Sequence, residues 1–304
     1  MIKINYNYRM HQDFLAYSHK CIHCFFIKVL RITLLLCFIL LGSSEVFAQQ
    51  NTDKPFVVVL DAGHGGHDSG NRGNGYFEKK IALNIVLKIG KQLEKLPGVK
   101  VIYTRKTDVF VELIQRANIA NKADADLFVS VHCDAFTSPK AFGAGTFVLG
   151  LHANDRNFKV AQKENAVIFL EDDYEQNYDG FNPNDPESVI SLILMQETYL
   201  DQSIEAAGAI QKSFVSNLKR KDRTVKQAGF VVLKYTYMPS VLVETGFLTN
   251  KSEGSFLNSS KGQSNMSNAI AKAIINYKHL REASIQELFS YEASQEIKPA
   301  KKKV

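Results

Sequence analysis

The sequence predicts an α/β fold: an open, twisted, mostly parallel sheet flanked by helices, forming a single domain with a helical insertion. Three observations predict it. Short runs of β-branched and apolar residues, such as Phe56–Leu60 between Pro55 and Gly63, read as buried strands. Apolar residues at helical spacing, Ile81, Ile85, Ile89, Leu93 and Leu96, follow the first of these. The two patterns then alternate, which is the signature of a layered α/β domain. At 304 residues, 45% of them hydrophobic, the chain has material for one good-sized core.

Residues 1–48 are set apart. Lys28-Val-Leu-Arg31 leads into the apolar Ile32–Leu41 and then Val46-Phe-Ala48, the pattern of a secretory signal peptide cut after Ala48. The apolar run is shorter than the ~20 residues of a membrane-spanning helix, so no stable membrane span is expected. Export, to the periplasm or outright by secretion, is the implied address. Cys21, Cys24 and Cys37 lie in this leader, which leaves Cys133 as a lone cysteine and no disulfide in the remainder. Five basic and two acidic residues of the leader carry half of the net charge of +6. The remainder is mildly basic and lacks interleaved aromatic and basic residues, so nucleic acid is not an expected partner.

Each element is expected in turn. Phe56–Leu60 is a strand whose end delivers His64, and a Gly- and Asn-rich loop then reaches Glu78 in the first turn of a helix stopped by Pro97-Gly98. Val99–Thr104 is a strand; Asp108 is read as the N-cap of a helix reaching about Ala123; Leu127–Val131 is a strand with His132 at its tip. Residues from about 151 to 203, with the acidic Glu171–Glu175 and the turn-rich Gly180–Pro186, are read as an insertion. A helix follows over Ile204–Leu218, then strands at Ala228–Lys234 and Ser240–Val243, the second delivering Glu244. Asn265–Tyr277 closes the domain at about residue 280, leaving 281–304 as a charged tail.

Chemistry-bearing side chains therefore gather at strand ends, where open α/β sheets place their sites. Two imidazoles and a carboxylate, His64, Glu78 and His132, form the donor set of a catalytic zinc, Zn2+, with a fourth position left open. Glu244 is the carboxylate left over as a general base. His67, three residues beyond His64, is a competing ligand. Asp61 is read either as a partner of a ligand imidazole or as an anchor of the Gly63 turn, and Arg105 and Arg116 as structural partners of carboxylates such as Asp108.

Several stretches in succession sharpen this. Asp61-Ala-Gly-His-Gly-Gly66, Gly75-Tyr-Phe-Glu78, Tyr103-Thr-Arg105, Arg116–Asn121, Phe128–His132 and Val241–Phe247 resemble the zinc-dependent N-acetylmuramoyl-L-alanine amidases, over about residues 55–280. The resemblance implies cleavage of peptidoglycan at the amide between the lactyl group of N-acetylmuramic acid and the stem's L-alanine. It implies zinc on His64, Glu78 and His132, and Glu244 as the catalytic glutamate.

Lys163-Glu-Asn165 and Asp201-Gln-Ser203 resemble the flanks of the insertion in the cell-division subgroup. There a helix occludes the zinc until an activator with a degenerate metallopeptidase-like domain draws it away. An acid between Glu164 and Glu187 is expected to reach the metal, the other reading being a substrate-groove loop. Two further function classes stand beside the amidase: a catalytically silent wall-binding regulator, and a zinc peptidase of similar fold.

Overall fold

The computed structural model describes residues 54–150, 155–178, 181–182 and 197–296. The expected leader, and much of the expected insertion, lie outside these residues. Everything described from Pro55 onward belongs to one compact unit.

Six strands form its sheet: β1 (Phe56–Ala62), β4 (Val99–Tyr103), β5 (Leu127–Asp134), β6 (Ala144–Leu149), β7 (Asp222–Ala228) and β8 (Ser240–Phe247). They lie in the order β4-β1-β5-β8-β6-β7. A small separate hairpin pairs β2 (Arg72–Gly73) with β3 (Tyr76–Phe77). Only the β6–β8 pairing in the large sheet is antiparallel. The expected mostly parallel sheet is thus present.

Alternation along the strands builds two apolar layers. Val58, Leu60, Val129, Val131, Val241 and Val243 face one side, where helices α1 (Glu78–Leu93), α5 (Glu197–Leu218) and α8 (Ser260–Glu296) cover them. Val57, Val59, Phe128, Phe147 and Leu242 face the other, beneath α2 (Leu113–Lys122) and the single turn α6 (Val231–Lys234). Full burial of each such side chain is worth about 1.5–3 kcal/mol, which is what holds the strand tips rigidly in register. The insertion contributes α3 (Asp155–Asn165) and the short α4 (Tyr174–Asn177), and α7 (Lys251–Asn258) follows β8.

Several expectations are corrected. Helix α2 begins at Leu113, and Asp108 caps nothing there; it accepts from Gly66 N at 2.9 Å and pairs with Lys79 at 2.8 Å, tying the His64 loop to α1. The strand expected over Ala228–Lys234 lies earlier, at Asp222–Ala228, while Val231–Lys234 is a buried helical turn. Strands β5 and β8 run on past Val131 and Val243, so His132 and Glu244 stand within strands instead of at their tips. Strand β6 was not foreseen. Helix α8 starts at Ser260 and continues to Glu296, so the tail expected from residue 281 is helical as far as it is described.

Candidate metal centre

The site is built where β1, β5 and β8 end and α1 begins. The chain leaves β1 through Gly63, and a Cβ there would come within 2.4 Å of His132 Cε1, so glycine is required. His64 follows with φ 61°, a left-handed conformation that costs a non-glycine residue about 1 kcal/mol. Two buried arginines hold that turn. Arg105 donates from Nε to Ala62 O (2.9 Å) and from Nη2 to Gly63 O (2.8 Å). Arg116 donates from Nη1 to Asp61 Oδ1 (2.8 Å) and from Nη2 to His64 O (2.9 Å). Both are structural, as expected, but they grip main-chain carbonyls and Asp61 in place of Asp108.

The hydrogen bonds decide which lone pairs the imidazoles present. His64 Nδ1 lies 2.7 Å from Asp68 Oδ2, so it donates there and leaves Nε2 as the free acceptor. Asp61 Oδ2 takes the Ser130 hydroxyl proton at 2.6 Å, which makes Ser130 Oγ the acceptor for His132 Nε2 at 3.0 Å and frees His132 Nδ1. Of the two roles considered for it, Asp61 anchors the turn through Arg116; it makes no hydrogen bond to an imidazole itself and meets His132 only through Ser130. Glu78, fully buried, accepts Asn71 N on Oε2 and Cys133 N on Oε1, each at 2.7 Å, so both of its oxygens are fixed by main chain.

A fourth donor joins them. Glu164, at the end of α3, brings Oε2 to 3.1 Å from His64 Nε2 and 3.0 Å from His132 Nδ1. One ligand atom from each of His64, Glu78, His132 and Glu164 lies within 4.8 Å of all the others, and all four residues are buried. Close as they are to each other, His64 Nε2 and Glu164 Oε2 are buried and make no well-formed hydrogen bond among the described residues. Two imidazole nitrogens and two carboxylates converging in a buried site are the N2O2 donor set of a tetrahedral dication such as zinc. The residues fit the metal.

Electrostatics tell the same story. Burial alone would lower the His64 pKa, but Glu78 and then Asp68 and Glu164 raise it well above the usual histidine range. His132 is likewise opposed by burial, yet Glu164 and Glu78 raise it to about 10. Without a dication, protons on the imidazoles balance the carboxylates; a bound metal replaces them.

His67, the competing ligand, is exposed and stacks on Phe110 with ring centroids 4.1 Å apart, away from the cluster. Glu244 is 1% exposed on the strand beside His132, its register partner. Neither Glu244 oxygen has a hydrogen-bond partner among the described residues. Burial first, then the carboxylates of Asp134, Glu164 and Glu78, push its pKa well up. Cys133 is buried and its pKa is raised by burial, consistent with a packing residue. Of the acids considered in the insertion, Glu164 reaches the cluster. Glu171 does not; it accepts Leu113 N at 2.9 Å and the Tyr178 hydroxyl at 2.5 Å, fastening the insertion to the first turn of α2.

The same arrangement of elements occurs in known proteins. Residues 58–276 match the family N-acetylmuramoyl-L-alanine amidase. The chain belongs to that family. The N-acetylmuramoyl-L-alanine amidase AmiA of Escherichia coli is 36% identical over 244 residues, covering 78% of this chain and 81% of that protein. An N-acetylmuramoyl-L-alanine amidase from Clostridium difficile 630 superposes with a TM-score of 0.58 at 26% identity, over 75% of this chain and 98% of that one. The CwlD amidase of Clostridioides difficile, solved in complex with the GerS lipoprotein, superposes at 0.53 with 25% identity, over 74% of this chain and 98% of its own. By family this chain is an amide hydrolase, and its buried histidine–glutamate cluster is compatible with the metal dependence of the family.

Proposed function

We propose that the chain hydrolyses peptidoglycan at the amide joining the lactyl group of N-acetylmuramic acid to the L-alanine of the stem peptide, with zinc held by His64, Glu78 and His132. The observation that carries this reading is the convergence of two free imidazole lone pairs and a pinned carboxylate beside the unpartnered Glu244. Zinc there supplies Lewis acidity and a water of lowered pKa. Glu244 takes the proton of the attacking water and delivers it to the departing alanine nitrogen, which leaves as an amine. Its burial among carboxylates favours the protonated form, which suits the second of those transfers. Asp68 and the Asp61–Ser130 pair keep the imidazoles in the tautomers that bind metal.

In this reading Glu164 fills the fourth ligand place of a resting enzyme, and activity requires α3 to withdraw. An activator protein is the natural agent, and the solved complex of the related CwlD amidase with a lipoprotein is consistent with one. Export to the periplasm and a role in cell division follow from the leader and from the subgroup resemblance. The family match favours the amidase over a zinc peptidase, and the intact donor set favours it over a silent wall binder.

The test is to incubate the purified chain and Glu244→Gln, with zinc or a chelator, on peptidoglycan and to weigh the released fragments. Zinc-dependent release of intact stem peptides, lost in Glu244→Gln, is expected. Single amino acids as products, or undiminished release by the variant, would contradict the reading.

A further inference from the structure

A groove of about 1000 Å³ runs along β7, its lining including every residue from Lys221 to Gln227. Strand β7 is the last in the sheet order, and among the described residues no strand pairs with its outer side. Such an edge offers main-chain donors and acceptors to an extended peptide.

The groove is strongly basic. Lys140, Arg156, Lys221, Arg223 and Lys226 line it against a single acid, Asp222. That acid is already engaged, accepting from Gln211 Nε2 at 2.6 Å and Thr224 N at 2.8 Å. Two half-exposed rings in the lining carry cations: Arg156 lies 5.0 Å from the centre of the Phe136 ring, and Lys221 lies 4.6 Å from that of Phe142.

Two of the lining cations connect the groove to the strands that carry the candidate metal centre. Arg223 donates to Asp134 at 2.9 Å, and Asp134 follows His132 by two residues on β5. Lys226 Nζ is buried, has no hydrogen-bond partner among the described residues, and lies 4.9 Å from the centre of the Phe147 ring. A Cβ on Gly145 would come within 3.0 Å of that ammonium, and Gly145 is the register partner of Glu244. A buried ammonium with no acceptor next to the proposed base is costly for the fold unless a ligand supplies the acceptor.

We infer that this groove is a carboxylate-recognising subsite for the peptide leg of the substrate, with Lys226 and Arg223 as the positioning residues that meet its free carboxylates. The inference rests on the amidase reading and deepens it. An amide cleaved beside Glu244 leaves its peptide portion on one side of the metal, and the groove begins there. A peptide fits this place better than an anionic membrane surface does, because the innermost cation is sunk below the surface and the groove follows a strand edge.

Binding separates this inference from the activity on which it rests. Titration calorimetry is run on the full chain with a released stem peptide, beginning with L-alanine and bearing free side-chain and terminal carboxylates. The same peptide with every carboxyl converted to a primary amide is the comparison. Wild type is expected to bind the acid form at least about tenfold more tightly. Lys226→Met and Arg223→Gln should each remove most of that preference, and Lys226→Arg should retain it. Equal affinity of wild type for the two peptides overturns the inference, as does a preference that survives in both charge-removing variants. Loss of binding to phosphatidylglycerol vesicles in the variants, with peptide affinity unchanged, would reassign the groove to a membrane surface. Failure of the amidase reading would instead appear as an absence of stem-peptide release from peptidoglycan by wild type and by Glu164→Ala alike, whatever the calorimetry gives.

Discussion

Replacing Asp61 with alanine removes one carboxylate and, in this structure, disturbs both the support of the site and the orientation of His132. Asp61 is fully buried and accepts from Thr104 Oγ1 (2.6 Å), Ser130 Oγ (2.6 Å) and Arg116 Nη1 (2.8 Å). Burial would raise its pKa, but Arg116 and the two hydroxyls lower it overall. Breaking a buried ion pair from one side costs about 3–5 kcal/mol, because the surviving charge stays buried. Each hydroxyl left without its acceptor adds roughly 1 kcal/mol. Against this, Arg116 keeps its bonds to the carbonyls of Val111, Ala62 and His64. The expected net loss is about 4 kcal/mol, or a fall in Tm of roughly 8–16 °C for a domain of this size. Urea and thermal unfolding of the metal-free protein measure it without linkage to zinc. Because the folded pKa is depressed, the contribution is present above the ordinary aspartate value and is lost as pH falls through the lowered one. The gap between wild type and Asp61→Ala should therefore close in acid. A loss below about 1 kcal/mol at neutral pH would refute the reasoning.

Three other outcomes are expected. Asp68→Asn weakens the acceptor that fixes the His64 tautomer, so zinc affinity in a competition titration should fall about 10–100-fold with little change in fold. Tyr178→Phe removes the hydroxyl that bonds Glu171 Oε2 and receives Ile114 N at 3.0 Å; loosening the segment behind Glu164 should raise basal amide hydrolysis several-fold, and an unchanged rate would count against that fastening. Lys226 has its pKa lowered to about 8, by burial first and then by Arg223 and Arg156. Between there and the unfolded value of about 10.4 the unfolded chain holds the extra proton, so stability of the wild type should rise with pH across that window. Lys226→Met should be the more stable protein at pH 7, its advantage vanishing above about pH 10.

How much the sequence disclosed follows from where each residue's signal lies. That His64, Glu78 and His132 come together was legible because each lies in or next to a locally patterned strand or helix, and these are the elements that the core fixes. Strand β6 was missed because Ala144–Leu149 is short, begins with small residues and is bounded by Gly143 and Gly150, although every one of its residues is buried. Strand β7 was misplaced because an edge strand, Asp222-Arg-Thr-Val-Lys-Gln-Ala228, needs little apolar surface, whereas the β-branched Val231-Val232 beside it pack as a helical turn. Asp68 and Ser130 were not recognised as partners of the imidazoles, since their roles depend on contacts fixed only by the fold. Glu164 lies in a family-like flank, but nothing local sets it apart from the acidic run at 171–175; composition marks charge, not which carboxylate the end of α3 delivers inward.

In the proposed function, Glu164 completes and blocks a zinc site made by His64, Glu78 and His132. The most direct test compares initial rates of stem-peptide release by wild type and Glu164→Ala at equal, measured zinc content. A faster variant that still holds its zinc through the other three residues is expected. A variant that retains zinc and is no faster, or that loses zinc and activity together, would contradict it.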